Sequence, residues 1–181
     1  MSDSLPKILA ITGNIRPGST SQSIINHLTE QFSSIADVHL FKSLSELPYF
    51  DPGIAGDDIP EPVHRFREQI VSSDGVLFCT PEYVFSLPGI LKNALEWTVS
   101  TTIFTQKPVA IIIAAASGEK ALESLELIME TFSAALDKDS TLLIKAAKGR
   151  LGSAGEITDK QLEADLKSFF EAFAKRIGSQ Q

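Results

Sequence analysis

Three short stretches of this chain carry residue types whose spacing suits chemistry. The first is TGNIRPGSTSQS, running from Thr12 to Ser23. It gathers hydroxyls at Thr12, Ser19, Thr20 and Ser21, a guanidinium at Arg16 and turn-forming Gly13 and Gly18, then runs into a segment of helical periodicity. Backbone N–H groups and hydroxyls that converge at a helix start, where the dipole also favours negative charge, suit a phosphate. The loop lacks the lysine of a Walker loop and the three-glycine spacing of the dinucleotide fingerprint. Taken alone, it also suits an ordinary N-cap and turn.

The second stretch is CTPEYVFSLPGILKNALEW, from Cys79 to Trp97. A continuous apolar run, GVLF, precedes it. Then Pro81, Glu82, Tyr83, Val84 and Phe85 stand where Gly, Asn and Ser are the usual turn formers. A flat ligand with apolar faces and a polar edge would cover such a loop. The alternative is a turn whose Tyr83 and Phe85 cover the core, with Ser86 as helix N-cap and Pro88 in the first helical turn. The third stretch, AAASGEK from Ala114, has small residues that let backbone approach a planar ring, plus Ser117 and Gly118; its alternative is a strand-to-helix turn capped by Ser117.

Other candidate groups are unpromising. His27, His39 and His64 fall on a predicted helix, a predicted strand and a helix start, away from these loops, so no acid–base dyad and no catalytic side chain is expected. The lone cysteine, Cys79, reads as a small buried hydrophobe at a strand end. It excludes an intrachain disulfide framework and a multi-cysteine metal site, and no metal site is expected.

The elements that must position these loops follow from hydrophobic periodicity. Apolar runs at KILAIT (Lys7 to Thr12), ADVHLFKS (from Ala36), GVLFCT (from Gly75), PVAIIIAAA (from Pro108) and STLLIKAA (from Ser140) read as strands. Between and after them come helical patterns: Ile24, Ile25, Leu28 and Phe32; VHRFREQIV from Val63; Leu87, Ile90, Leu91, Ala94, Leu95 and Thr98; Leu122 to Leu136; and Leu162 to Ile177, with Thr158 and Asp159 as N-cap candidates. Five near-continuous apolar strands alternating with five helices predict a parallel, doubly wound α/β sheet covered on both faces. In such a sheet a ligand sits outside the carboxyl ends of the strands where strand order reverses, and all three stretches follow strands. The irregular segment LPYFDPGIAGDDIPEP from Leu47 is too rich in Pro, Gly and Asp to be regular, and loops of that length are usually functional or mobile.

Composition narrows the classes. The 181 residues, 43% apolar and 22% charged, suit one globular domain spanning residues 1–181. The longest apolar run is far short of the roughly 18 residues of a membrane span, and MSDSLPK lacks a signal peptide's apolar centre, so a cytoplasmic location and no membrane partner are expected. A net charge of −7 without a cluster of Lys or Arg argues against nucleic acid.

GNIRPGSTS after the first strand and TPEYVFSLPGILKNALEW after the third resemble the NADPH-dependent FMN reductase family, whose patterns are close to G-S-x-R-x-G-S-x-N and P-E-Y-N-x-S-x-P-G-x-L-K-N-A-x-D-W. The resemblance covers most of the chain, including LPYFDP at Leu47 and KPVA at Lys107. It implies a flavodoxin-like three-layer sandwich with strand order 2-1-3-4-5, FMN as cofactor, NADPH or NADH as donor and a small-molecule electron acceptor: a quinone, an azo dye, a metal or free flavin. It also implies that Asn14, Arg16, Ser19 and Ser21 lie on the FMN phosphate with Gly13 and Gly18 shaping their loop. Pro81, Glu82, Tyr83, Val84 and Phe85 would run along the isoalloxazine, with Ser117 and Gly118 in the third loop. Asn14 stands where the family usually has Ser, Ser21 where it usually has Asn, and Val84 where it commonly has Asn. Family members commonly form homodimers or homotetramers with the flavin at an interface, which an exposed Phe85 or Trp97 would suit. The competing class is a flavodoxin-type electron carrier, which lacks the PEY-to-Trp97 motif. A low-molecular-weight tyrosine phosphatase would need an Arg near Cys79 that TPEYVFS does not supply.

Overall fold

The computed structural model describes residues 5–179. Its five strands, β1 (Lys7–Thr12), β2 (Asp37–Leu40), β3 (Gly75–Thr80), β4 (Val109–Ala114) and β5 (Thr141–Ile144), form one sheet in the order β2-β1-β3-β4-β5. Every pairing is parallel, with Leu9 beside His39 and Val76, and Leu77 beside Ala110. The helices are α1 (Thr20–Gln31), α2 (Glu61–Ser72), α3 (Gly89–Glu96), α4 (Glu119–Thr131) and α5 (Lys160–Gly178). The parallel, doubly wound sheet is the one expected from periodicity, and its strand order is the one the family resemblance implies.

Side-chain alternation along each strand divides the core in two. Leu9, Ile11, Val76, Phe78, Ile111 and Ile113 pack with α2, α3 and α4. Ile8, Ala10, Leu77, Cys79, Ala110 and Ile112 pack with α1 and α5 on the other face. Both faces of β3 and β4 are therefore buried, which is why those strands read as unbroken apolar runs.

Several boundaries differ from the periodicity. Helix α3 starts at Gly89 with Pro88 as N-cap, so Ser86 is not the cap; it belongs to a hairpin described below. Helix α4 ends at Thr131, and Phe132 and Leu136 still pack against the core from the connection that follows. The start of α5 is capped by Asp159, whose carboxylate accepts from Gln161 and Leu162 N–H and from Arg150 Nε at 2.7 Å. The bond from Arg150, followed by that from Leu162, holds this carboxyl down at about 2.

Candidate functional site

The three loops meet at the carboxyl ends of β1, β3 and β4. The first leaves β1 through Gly13, whose N–H bonds Cys79 O at 3.4 Å. A Cβ at Gly13 would lie 2.0 Å from Thr80 Oγ1 and 3.2 Å from Pro88 Cγ, so only glycine lets the loop cross the end of β3. Gly13→Ala is expected to destabilise the protein by about 2 kcal/mol through overpacking, checked by urea unfolding.

Beyond Gly13 the loop is shaped by its own polar groups. Asn14 Oδ1 accepts from Arg16 N–H at 2.8 Å, and Thr12 Oγ1 donates to Asn14 O at 3.2 Å. Gly18 adopts a left-handed φ of 68°. Ser19 is the N-cap of α1 and accepts from Gln22 N–H, while Gln22 Oε1 takes the N–H of Gly18 at 2.8 Å, a variant of the capping box. The N–H groups of Thr20 and Ser21 have no partner among the described residues, as at any helix start. Ser21 departs from expectation: its side chain is buried, with its hydroxyl on the Cys79 thiol, so its backbone rather than its hydroxyl is open to an anion. Burial pushes that thiol up to about 12, which leaves it an inert core group.

The second loop is a two-residue hairpin. Tyr83 N–H bonds Ser86 O at 2.9 Å and Ser86 N–H bonds Tyr83 O at 3.0 Å. Between them Val84 and Phe85 both have positive φ, 51° and 55°, the pattern of a type I′ turn, for which Asn-Gly is the favoured pair. A β-branched residue in that region is a genuine outlier. Both side chains point to solvent, Val84 at 95% and Phe85 at 77% exposure.

The Glu82 side chain is engaged by a neighbouring element. Its carboxylate accepts from the N–H groups of Gly118, Lys120 and Ala121 at 3.3, 3.0 and 3.1 Å, and so caps α4 from the neighbouring loop. The N-cap residue Gly118 has no side chain to do this, and Ser117 does not. A second cross-loop bond runs from Asn14 Nδ2 to Tyr83 OH at 3.0 Å. One bond thus ties the first loop to the second, and one carboxylate ties the second to the third.

The long segment after β2 is fastened to α3. Pro48 O accepts from Asn93 Nδ2 at 2.9 Å and Trp97 Nε1 at 2.8 Å, while Asn93 Oδ1 accepts from Phe50 N–H at 2.8 Å. Asn93 and Trp97 lie one helical turn apart, so both reach the same strand of backbone. The expectation that Trp97 is exposed is corrected here: it is 1% exposed, edge-on to Phe50 with ring centroids 5.2 Å apart. Of the two aromatics named, Phe85 is the exposed one. Tyr49, between the two clamped positions, is 93% exposed at the rim of a cavity of about 670 Å³ that also meets Ile15 and Ile90. The KNALEW spacing was the available signal for this clamp. Among the described residues His39 pairs with Asp37 at 2.9 Å on the exposed edge strand, remote from the three loops.

The donor set fits an anion. A cavity of about 160 Å³ on one flank of the first loop is lined by Thr12, Asn14, Arg16, Gln22 and Lys42 among others, with no carboxylate, in a chain of net charge −7. An acid-free, cation-bearing pocket beside unpaired helix N–H groups suits a phosphate, and the hairpin alongside supplies apolar surface for a ring. The model of the NADPH-dependent FMN reductase family matches residues 6–148, which include all three loops.

The chain belongs to the NADPH-dependent FMN reductase family. It is an oxidoreductase of a family whose cofactor is FMN and whose electron donor is NAD(P)H. Relatives include the NADH:(hydroxy)cinnamate reductase subunit CrdA of Vibrio ruber, 30% identical over 91% of this chain and 84% of that one. Another is a 2-hydroxy-1,4-benzoquinone reductase of a Burkholderia species, 28% identical over 93% of this chain and 94% of that one. The fold matches the flavoenzyme FerB, an NAD(P)H:(acceptor) oxidoreductase from Paracoccus denitrificans, with a TM-score of 0.78 at 23% identity over 97% and 98% of the two chains. No helix among the described residues of this FMN reductase family member is long and apolar enough to cross a membrane.

Proposed function

We propose that residues 1–181 act as one FMN-binding domain that accepts a hydride from NAD(P)H and passes electrons to a small planar acceptor, quinones and azo compounds foremost, with metal ions and free flavin as further acceptors. The observation that carries this reading is the acid-free phosphate loop joined through Asn14 and Tyr83 to a strained apolar hairpin. Bound there, FMN supplies the hydride-accepting and electron-releasing chemistry.

The residues of this chain hold and orient it. Arg16, the Asn14 amide, the Ser19 hydroxyl and the backbone N–H groups of Thr20 and Ser21 take the phosphate. Gly13 and Gly18 give the loop its path. Pro81 to Phe85 offer backbone and apolar surface to the ring, and Ser117 and Gly118 flank it from the third loop. Glu82 acts by fixing the second and third loops relative to each other. The hydride step itself needs no side-chain acid or base. Names of the relatives, cinnamate and benzoquinone reductases, support a planar conjugated acceptor. The exposed Ile15, Tyr49, Val84 and Phe85 around the site support a homodimer or homotetramer that covers them, and the protein works in the cytoplasm.

The test is a visible spectrum of purified protein with FMN, before and after NADPH. A flavin spectrum that bleaches within a turnover time, with quinone-dependent NADPH oxidation, is the expected result. Flavin binding without bleaching would leave the flavodoxin-type carrier; neither binding nor oxidation would overturn the reading. Arg16→Ala is expected to weaken FMN about 10- to 100-fold, the worth of a charged hydrogen bond, and to leave riboflavin, which has no phosphate, little changed.

A further inference from the structure

The start of α4 is capped from outside its own loop. A helix leaves its first N–H groups without intrahelical partners, and the residue at the N-cap commonly offers them a side-chain oxygen. Here that residue is Gly118, at a φ of 102°, where a Cβ would lie 2.7 Å from Leu143 Cδ1 and 2.8 Å from Ile113 Cγ2. No side chain fits at that position. Ser117 before it is exposed and makes no cap bond. Glu82 takes over from 36 residues away: one carboxylate oxygen accepts from Gly118 N–H at 3.3 Å, and the other from Lys120 and Ala121 N–H at 3.0 and 3.1 Å. Both halves of a capping box fall to one carboxylate.

The other charges around this helix start are matched in pairs. Glu119 pairs with Lys145, and Lys120 with Glu123 at 2.7 Å. Glu82 has no cation within ion-pair distance among the described residues. What faces its charge is the positive end of the α4 dipole and the three N–H groups. The backbone that carries it is held on both sides, by Thr80 Oγ1 donating to Pro81 O at 3.2 Å and by the pairing of Tyr83 with Ser86. The third loop therefore offers a ligand lying against it no free N–H from residues 118, 120 or 121, and the positive end of the dipole is met by a fixed negative charge.

We infer that Glu82 tunes the bound flavin: as a positioning residue that occupies the N–H groups of α4 and cancels the positive end of its dipole, it lowers the reduction potential of FMN. The inference rests on the reading of the second and third loops as the walls of the ring site. A hydride carries two electrons and one proton, so its transfer leaves the nicotinamide one charge more positive and the ring one charge more negative. Free N–H donors or an open helix start beside the ring would stabilise that added charge. Here the donors are taken and a carboxylate stands among them, which favours the oxidised ring and leaves the reduced one ready to give its electrons to an acceptor. One charge about 10 Å from another, at an effective permittivity of about 20, is worth roughly tenfold in an equilibrium constant. For a two-electron couple that is about 30 mV.

Spectroelectrochemical titration of the full chain with bound FMN, at low salt, reads the midpoint potential, and titration with oxidised FMN reads its affinity. Glu82→Gln keeps the shape and an oxygen for the cap but removes the charge. It is expected to raise the midpoint by about 30 mV, a tenfold gain in affinity for reduced over oxidised FMN. Lys145→Gln, a surface change that leaves Glu119 unpaired beside the same helix start, is expected to shift the midpoint down, and by less because the pair is exposed. If Glu82→Gln weakens oxidised FMN while the midpoint stays put, Glu82 is a structural cap only and the inference is overturned; a downward shift overturns it equally. Where Glu82→Gln fails to fold, the midpoint of Lys145→Gln decides, and an unchanged or raised value overturns the inference. Wild-type protein that binds no FMN fails the parent reading instead, since it has no potential to measure.

Discussion

Trp97→Ala is expected to lower the unfolding free energy by about 4 kcal/mol and, in the fraction that remains folded, to weaken FMN binding. The side chain is 1% exposed and sits edge-on against Phe50, so its removal leaves a cavity of the kind that costs about 3–5 kcal/mol. Three attachments converge on this residue. Its indole N–H donates to Pro48 O, its own carbonyl accepts two bonds from the Arg67 guanidinium on α2, and its helix carries Asn93, which holds Pro48 and Phe50. Losing the indole frees the start of the long segment and with it the wall of the cavity beside Ile15. Trp97→Phe separates the contributions, since it keeps most of the packing but strands Pro48 O with only Asn93, at a cost of about 1–2 kcal/mol. Urea unfolding monitored by circular dichroism reads both values. A loss below 2 kcal/mol for Trp97→Ala would contradict this account of the clamp.

Replacing Val84 by Asn together with Phe85 by Gly is expected to stabilise the protein by about 2–3 kcal/mol while reducing turnover. Both positions hold left-handed backbone that costs about 1–2 kcal/mol per residue when Cβ is present. Asn and Gly relieve it, and neither native side chain is buried, so little packing is lost. Strain kept at two exposed apolar residues beside a ligand site marks surface retained for contact with ring, acceptor or second subunit rather than for folding. The double variant should unfold later in urea and show lower kcat/KM with a quinone. A variant that gains stability and loses no activity would show that the hairpin tip has no part in the reaction; one that gains no stability would show that the turn is not strained.

How much of this was legible beforehand differs by element. The strands were, because β3 and β4 are covered on both faces and leave apolar runs that no surface element imitates. The three loops were, since topology places them together and the second carries residue types unusual for a plain turn. Glu82 was legible as unusual but not as a cap: its partners are 36 to 39 residues away on α4, and nothing local announces them. Ser21 and Trp97 failed for a related reason. A hydroxyl two residues into a helix, or an indole at a helix end, faces inward or outward according to neighbours such as Cys79 and Phe50, which periodicity does not place.

The clamp on Pro48 and Phe50 also bears on how this chain can diversify. Both ends of the long segment are secured, by Asn93 and Trp97 at the start and by Pro60 at the cap of α2, and Ile54 and Ile59 tuck against the core between them. What lies between those two isoleucines, residues 55–58, is exposed. Closing a longer loop there costs little, since the entropy grows only with the logarithm of length. Insertions at that tip can therefore lengthen the segment while the clamp on Pro48 and Phe50 and the three loops keep their positions, making it a natural point for change by descent or by engineering.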